Sequence, residues 1–89
     1  METPVRKPIR LTRHAKAHLT RRGTTEGELV ETVRHSQWKP ARSGRLECRK
    51  DFYYGKDWNG RRYDTKQVRP IFIEEKNEVV VITIYVYYF

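Results

Sequence analysis

Val79-Val80-Val81-Ile82-Thr83-Ile84-Tyr85-Val86-Tyr87-Tyr88 is the stretch on which the fold turns. A run of β-branched and aromatic residues with no Gly or Pro suits a pleated strand. Strict alternation assigns Val80, Ile82, Ile84 and Val86 to one aliphatic face and Thr83, Tyr85 and Tyr87 to the other. The aliphatic face has to be covered, and two helical patterns upstream can cover it. A sheet with helices on one side and a surface of hydroxyls and rings on the other is the expected arrangement.

The first helix is predicted over 13–22, with Thr12 as N-cap and Gly23 as a left-handed stop. Thr25-Glu26-Gly27-Glu28 reads as a capping box and starts a second helix over about 26–36, with Leu29, Val30 and Val33 inward. Trp38 and Pro40 end it. Arg45 to Tyr54 alternates as a strand with Leu46, Cys48, Lys50 and Phe52 on one side. Asn59-Gly60 is a hairpin signal, because both residues tolerate positive φ. The return run, Arg61 to Ile73, contains Pro70, which cannot donate to a ladder and predicts an edge position or a bulge. Glu75 to Glu78 forms the last turn. The expected class is α+β, with two N-terminal helices packed on one face of a three- to four-stranded antiparallel sheet. Residues 1–10, with Pro4 and Pro8, are read as an extended basic arm, and 11–89 as a single domain.

A net charge of +8 and a pI near 9.9 attract polyanions, and equally an acidic protein. The single cysteine, Cys48, cannot form an intramolecular disulfide, which points to a reducing cytoplasm. No secretory signal pattern follows Arg6, Lys7 and Arg10. The apolar run from Val79 to Phe89 is too short to span a bilayer as a helix. A soluble cytoplasmic protein without membrane attachment is expected.

On the first helix His14, His18 and Arg22 are spaced i, i+4, i+8 and form one row. That row borders the apolar row of Leu11, Ala15 and Leu19, so packing could hold the donors while their tips reach a groove. This combination suits handling a phosphate.

The pattern His14-Ala15-x-x-His18-Leu19-x-x-Arg22-Gly23, a Thr/Glu helix start and the closing Val-Ile-Thr-Ile-Tyr strand together resemble the domain-of-unknown-function 4258 family, across about residues 9–87. The resemblance implies a small α+β domain similar to the RelE and BrnT ribonuclease toxins, a RelE- or barnase-like architecture that cuts RNA without metal. The chain departs from the family pattern at His18, where Arg or Lys is usual, and at Arg21, where an acid is frequent. Acid and base are therefore left unassigned between the two histidines.

Metal-independent RNA cleavage needs a base for the ribose 2′-OH, an acid for the leaving 5′-oxygen and cations for the phosphorane. The cast is His14 with His18 for proton transfer, Arg22 as phosphate clamp, and Tyr85 with Thr83 as hydroxyl donors. The bland alternative has His14 packing the helix and Arg22 paired with Glu26 or Glu31. His14, His18 and Cys48 could alternatively ligate a metal, but no second cysteine or carboxylate stands in the row, so no metal or cofactor is expected. Cys48 reads as a buried inert thiol, and His35 as a partner of its helix dipole.

Arg10, Arg13, Arg61, Arg62 and Lys66, with Arg6, Lys7 and Arg69, supply charge for a nucleic-acid backbone. Trp58 and Tyr63, with Tyr53 and Tyr54, surround the Asn-Gly turn and could stack bases or pack across strands. The apolar tail Tyr85 to Phe89 is expected to be covered by its own sheet, a second copy or a partner. The leading expectation is a toxin-like endoribonuclease whose partners are RNA and an acidic antitoxin. The alternatives are a non-catalytic nucleic-acid-binding module and an interaction domain for acidic proteins.

Overall fold

The structure is a computed structural model, and it describes residues 7–89. Pro4 and Arg6 of the predicted arm lie outside the described residues. The elements are β1 (Ile9–Leu11), α1 (Arg13–Arg22), α2 (Glu26–His35), β2 (Lys39–Pro40), a 3-10 turn (Arg42–Gly44), β3 (Leu46–Glu47), β4 (Lys50–Trp58), β5 (Arg61–Glu74) and β6 (Val79–Tyr88).

Local chemistry fixes both helices. The Thr12 hydroxyl accepts from the Ala15 amide, and Gly23, at φ 79°, closes α1 with the backbone bonds Gly23 N–H to Thr20 and Thr24 N–H to Leu19. Thr25 and Glu28 form the reciprocal capping box of α2. α2 ends at His35 instead of 36, and Leu29, Thr32 and Val33 are its buried residues, with Val30 only half-buried.

The sheet corrects the expected architecture. It is six-stranded and mixed, in the order β1-β6-β5-β3-β2 with β4 also on β5, not three- to four-stranded and antiparallel. A strand precedes the helices, because Ile9 and Arg10 of the presumed arm, with Leu11, pair in parallel with Val79–Val81. The predicted strand over 45–54 is two strands, interrupted at Cys48 and Arg49. β5 is interior, so Pro70 is not on an edge. It lies where β5 changes partner, pairing with β4 through Val68 and with β3 from Ile71. The Asn59-Gly60 hairpin has positive φ at both residues, as its turn type requires.

β6 carries a register shift, with Ile71 opposite Thr83 and Phe72 opposite Val81, which leaves Ile82 as the extra residue of a bulge. The bulge reverses which residues face the helices. Val79 and Val81 before it, and Ile84 and Val86 after it, pack in the core, so the inward assignment holds for Ile84 and Val86 and fails for Val80 and Ile82. Thr83, Tyr85 and Tyr87 remain on the opposite face. The core joins these residues to Leu11, Ala15, Leu29, Val33, Cys48, Val68 and Phe72. The Trp38 ring meets Phe72 edge-on, and the Trp38 indole N–H donates to the Val33 carbonyl at 2.8 Å.

Lys66, counted among the nucleic-acid cations, is 7% exposed and structural. Its ammonium donates to the Gly23 carbonyl at 3.0 Å and pairs with Glu28 at 2.9 Å. Burial works to raise the Glu28 carboxyl, but bonds from Lys66, Thr24 and the Thr25 backbone outweigh it and hold it below its ordinary value. Lys66→Met is expected to cost about 2–3 kcal/mol in urea unfolding, less than a fully buried pair because Glu28 is partly solvated. A depressed carboxylate stabilises above its unfolded value and loses that contribution as pH falls. The difference between Lys66→Met and wild type should therefore shrink below about pH 4.5.

Among the described residues no helix is long and apolar enough to cross a membrane.

Candidate functional site

Thr12 joins the first strand to the first helix and anchors both to the bulge of β6. Its amide donates to Val81 O at 3.0 Å and its hydroxyl to Ile82 O at 3.1 Å. At the far end the Tyr88 hydroxyl donates to the Arg22 carbonyl at 2.7 Å. α1 therefore runs beside β6 from the bulge to Tyr88, where β1 no longer covers the strand. The Ala15 and Leu19 row turns to the core. The adjoining row reaches over the edge of β6 toward its hydroxyl-and-ring face.

The five residues predicted as catalytic come together there. His14 Nε2 lies 3.4 Å from Thr83 Oγ1, and the His14 and His18 rings are 4.2 Å apart between centroids. Arg22 Nε donates to His18 Nδ1 at 3.4 Å, and its guanidinium carbon lies 5.7 Å from the centre of the Tyr85 ring. Among the described residues no carboxylate forms a salt bridge with Arg22, and Glu31 is taken by Lys50 at 3.7 Å. The alternative in which Glu26 or Glu31 neutralises Arg22 is thereby overturned.

Partial burial, then the charges of His14, Arg22 and Arg21, hold the His18 imidazole below its ordinary value of 6.5. At neutral pH His18 is therefore uncharged, as its role as acceptor of the Arg22 N–H requires. A depressed imidazole takes up its proton later in the folded chain than in the unfolded one. Its contribution to stability is present above pH 6.5 and is lost as pH falls. Between pH 7 and 5.5 the wild-type Tm should fall more steeply than that of His18→Gln, by calorimetry.

The sheet face beside the row is built around Arg69. Its guanidinium grips Glu47 with two bonds of 2.7 and 3.1 Å, donates to the Tyr87 hydroxyl at 3.1 Å and lies 5.4 Å from the Tyr85 ring centre. The bond from Arg69 holds the Glu47 carboxyl down, and Glu47 raises Arg69 in turn. Tyr85 thus has two guanidiniums near its ring, Arg22 and Arg69, with 38% of its surface exposed. Thr83 and Tyr85 also form one wall of a cavity of about 380 Å³, whose other side is the turn carrying Arg42, Ser43 and Arg45. These three were not foreseen as site residues. The signal was an Arg-Ser-Gly-Arg loop between two extended segments, and nothing local tells which face such a loop will border.

The predicted nucleic-acid residues scatter. Arg10 is held by Glu78 through two 3.1 Å bonds, Arg13 is exposed on the first turn of α1, and Arg61 and Arg62 are exposed at the hairpin end. Trp58 stacks on Tyr88 at 4.8 Å and 18°, with Tyr54 and Tyr63 also against Tyr88, so these three rings pack across strands. Burial, then nearby Tyr54 and Glu28, pushes the Tyr88 phenol up to about 12, which keeps it a proton donor to Arg22 O. Tyr53, at 84% exposure, stays outside this cluster. The tail is divided: Tyr88 is covered by the rings of the β4–β5 hairpin, while Tyr85, Tyr87 and Phe89 keep exposed surface.

Cys48 is fully buried, its thiol donates to Thr32 O at 3.4 Å, and burial pushes it up to about 12, so it is not a ligand shared with His14 and His18. Among the described residues no three His, Cys, Asp or Glu side chains group as a metal set. His35 lies in the last turn of α2. No protein-family profile, curated protein or solved structure matches the chain.

Proposed function

We propose that the groove beside α1 binds single-stranded RNA and cleaves it without metal through attack of a ribose 2′-OH on the adjacent phosphate. The observation that carries this reading is the convergence of two imidazoles, an unpaired guanidinium, an alcohol and a phenol along one edge of β6. Arg22 is the phosphate clamp, since a guanidinium matches two phosphate oxygens and among the described residues no carboxylate pairs with it. As Arg22 turns to the phosphate it leaves His18 Nδ1, and that lone pair takes the 2′-OH proton. The 2′-oxygen bonds to phosphorus, the bond to the 5′-oxygen breaks, and His14 beside Thr83 acts as the acid that supplies the leaving group's proton. The products are a 2′,3′-cyclic phosphate and a 5′-hydroxyl.

A charge of +8 draws RNA to such a groove, and an acidic segment of an antitoxin would be drawn by the same field. A toxin of a toxin–antitoxin pair in the cytoplasm is the setting this reading favours. Incubation with labelled single-stranded RNA in EDTA tests it: cyclic-phosphate ends support cleavage, with DNA left intact. RNA retarded in a salt-dependent way but never shortened would overturn catalysis in favour of a binding module.

A further inference from the structure

We infer that the cavity between the Arg42–Arg45 turn and Thr83 and Tyr85 is a second nucleotide subsite, taking the ring of the neighbouring nucleotide on Tyr85 and its phosphate between Arg42 and Arg45. The inference rests on reading the adjoining row as an RNA site. Continuity is its first support, because Thr83 and Tyr85 belong both to the row and to the cavity wall. A chain whose scissile phosphate lies at Arg22 therefore has its next nucleotide directed over Tyr85.

Size and chemistry agree. About 380 Å³ accommodates one nucleotide, and the lining divides into an apolar part, Ile71 and the Tyr85 ring, and a cationic rim. An exposed tyrosine ring next to guanidiniums is the pairing that stacks unpaired bases. Of the three arginines at the rim, Arg69 is neutralised by Glu47. Arg42 and Arg45 are exposed, and among the described residues neither has a carboxylate partner. Ser43 between them has φ 59°, a left-handed conformation costly for a serine, that turns the loop between the two arginines.

Two measurements on the intact protein test the subsite. Uncleavable 2′-O-methyl oligonucleotides, read by fluorescence anisotropy against salt, report binding. Arg42→Ala/Arg45→Ala should weaken a trinucleotide about tenfold and flatten the slope of log Kd against log salt by roughly 1, one phosphate's worth. A dinucleotide with a single phosphate should bind as in wild type. Lys16→Ala/Lys76→Ala removes the same charge elsewhere and should cost both ligands equally and little. Equal losses in the two double variants, or a loss for the dinucleotide as large as for the trinucleotide, would overturn the subsite. If wild type binds the methylated trinucleotide with this pattern yet leaves unmodified RNA uncut, the nuclease reading fails while the subsite stands.

Discussion

His18→Ala should slow RNA cleavage by about 10²–10⁴-fold, the range expected when a general base is removed. His18 stands at the middle of the row, with Arg22 on its Nδ1 and His14 against its ring. In the substrate-free protein that nitrogen is occupied by the Arg22 N–H. In the proposed reaction its release follows phosphate binding, so base strength becomes available only once a phosphate is clamped. Wild-type kcat/KM should then fall below pH 6.5, as His18 takes up a proton, and the acid limb should vanish in the alanine variant. His14→Ala should lose activity on the same scale but keep the acid limb, since His18 remains. At pH 7.5 His14→Ala should keep its Tm and His18→Ala should lose only the small contribution of the Arg22 bond, because both side chains lie at the rim of α1 and outside the core. A packing role predicts the opposite combination: a drop in Tm with turnover preserved. Steady-state rates across pH, alongside calorimetry of the same samples, separate the two.

Elements written in local chemistry were legible in the sequence. Thr12, Gly23 and the Thr25–Glu28 box act on backbone groups a few residues away, so the helix ends needed no knowledge of the rest of the fold. The His14–His18–Arg22 row was readable for the same reason, because helical spacing alone sets it. What could not be read depends on distant partners. The bulge at Ile82 is tied to Thr12, seventy residues upstream, and its effect is to undo the alternation on which the inward face of β6 was assigned. β1 is three residues between Lys7-Pro8 and Thr12-Arg13, with no strand signal of its own. It exists because Val79–Val81 offers an open ladder. Lys66 looks like a surface cation until α2 places Glu28 and the Gly23 carbonyl over it. The split of one predicted strand into β3 and β4 follows from β5, which meets both in succession. The cationic rim at Arg42 and Arg45 depends on where the β2–β3 loop falls across the sheet, and that follows only from the whole strand order.

Gly23→Ala should be strongly destabilising, costing about 2–4 kcal/mol. Gly23 holds φ 79°, and a side chain there carries a penalty of about 1–2 kcal/mol. The larger part is steric. A Cβ built on Gly23 would run into the Tyr88 hydroxyl and come within 2.6–2.8 Å of the Trp58 ring, so the stacked pair must shift. Overpacking of this kind costs about 1–3 kcal/mol. Against a total of about 5–10 kcal/mol for a domain of this size, the loss corresponds to a Tm lowered by roughly 8–30 °C. The consequence reaches the site by a short path. Tyr88 holds the Arg22 carbonyl and Lys66 holds that of Gly23, so displacing Tyr88 loosens the last turn of α1, which carries the proposed phosphate clamp. Activity should therefore fall even at temperatures where Gly23→Ala is fully folded. Tyr88→Phe provides the control, removing the bond to Arg22 O without the collision: a small Tm change with a raised KM for RNA locates the effect in Arg22, whereas unchanged KM would show that Tyr88 serves stability alone.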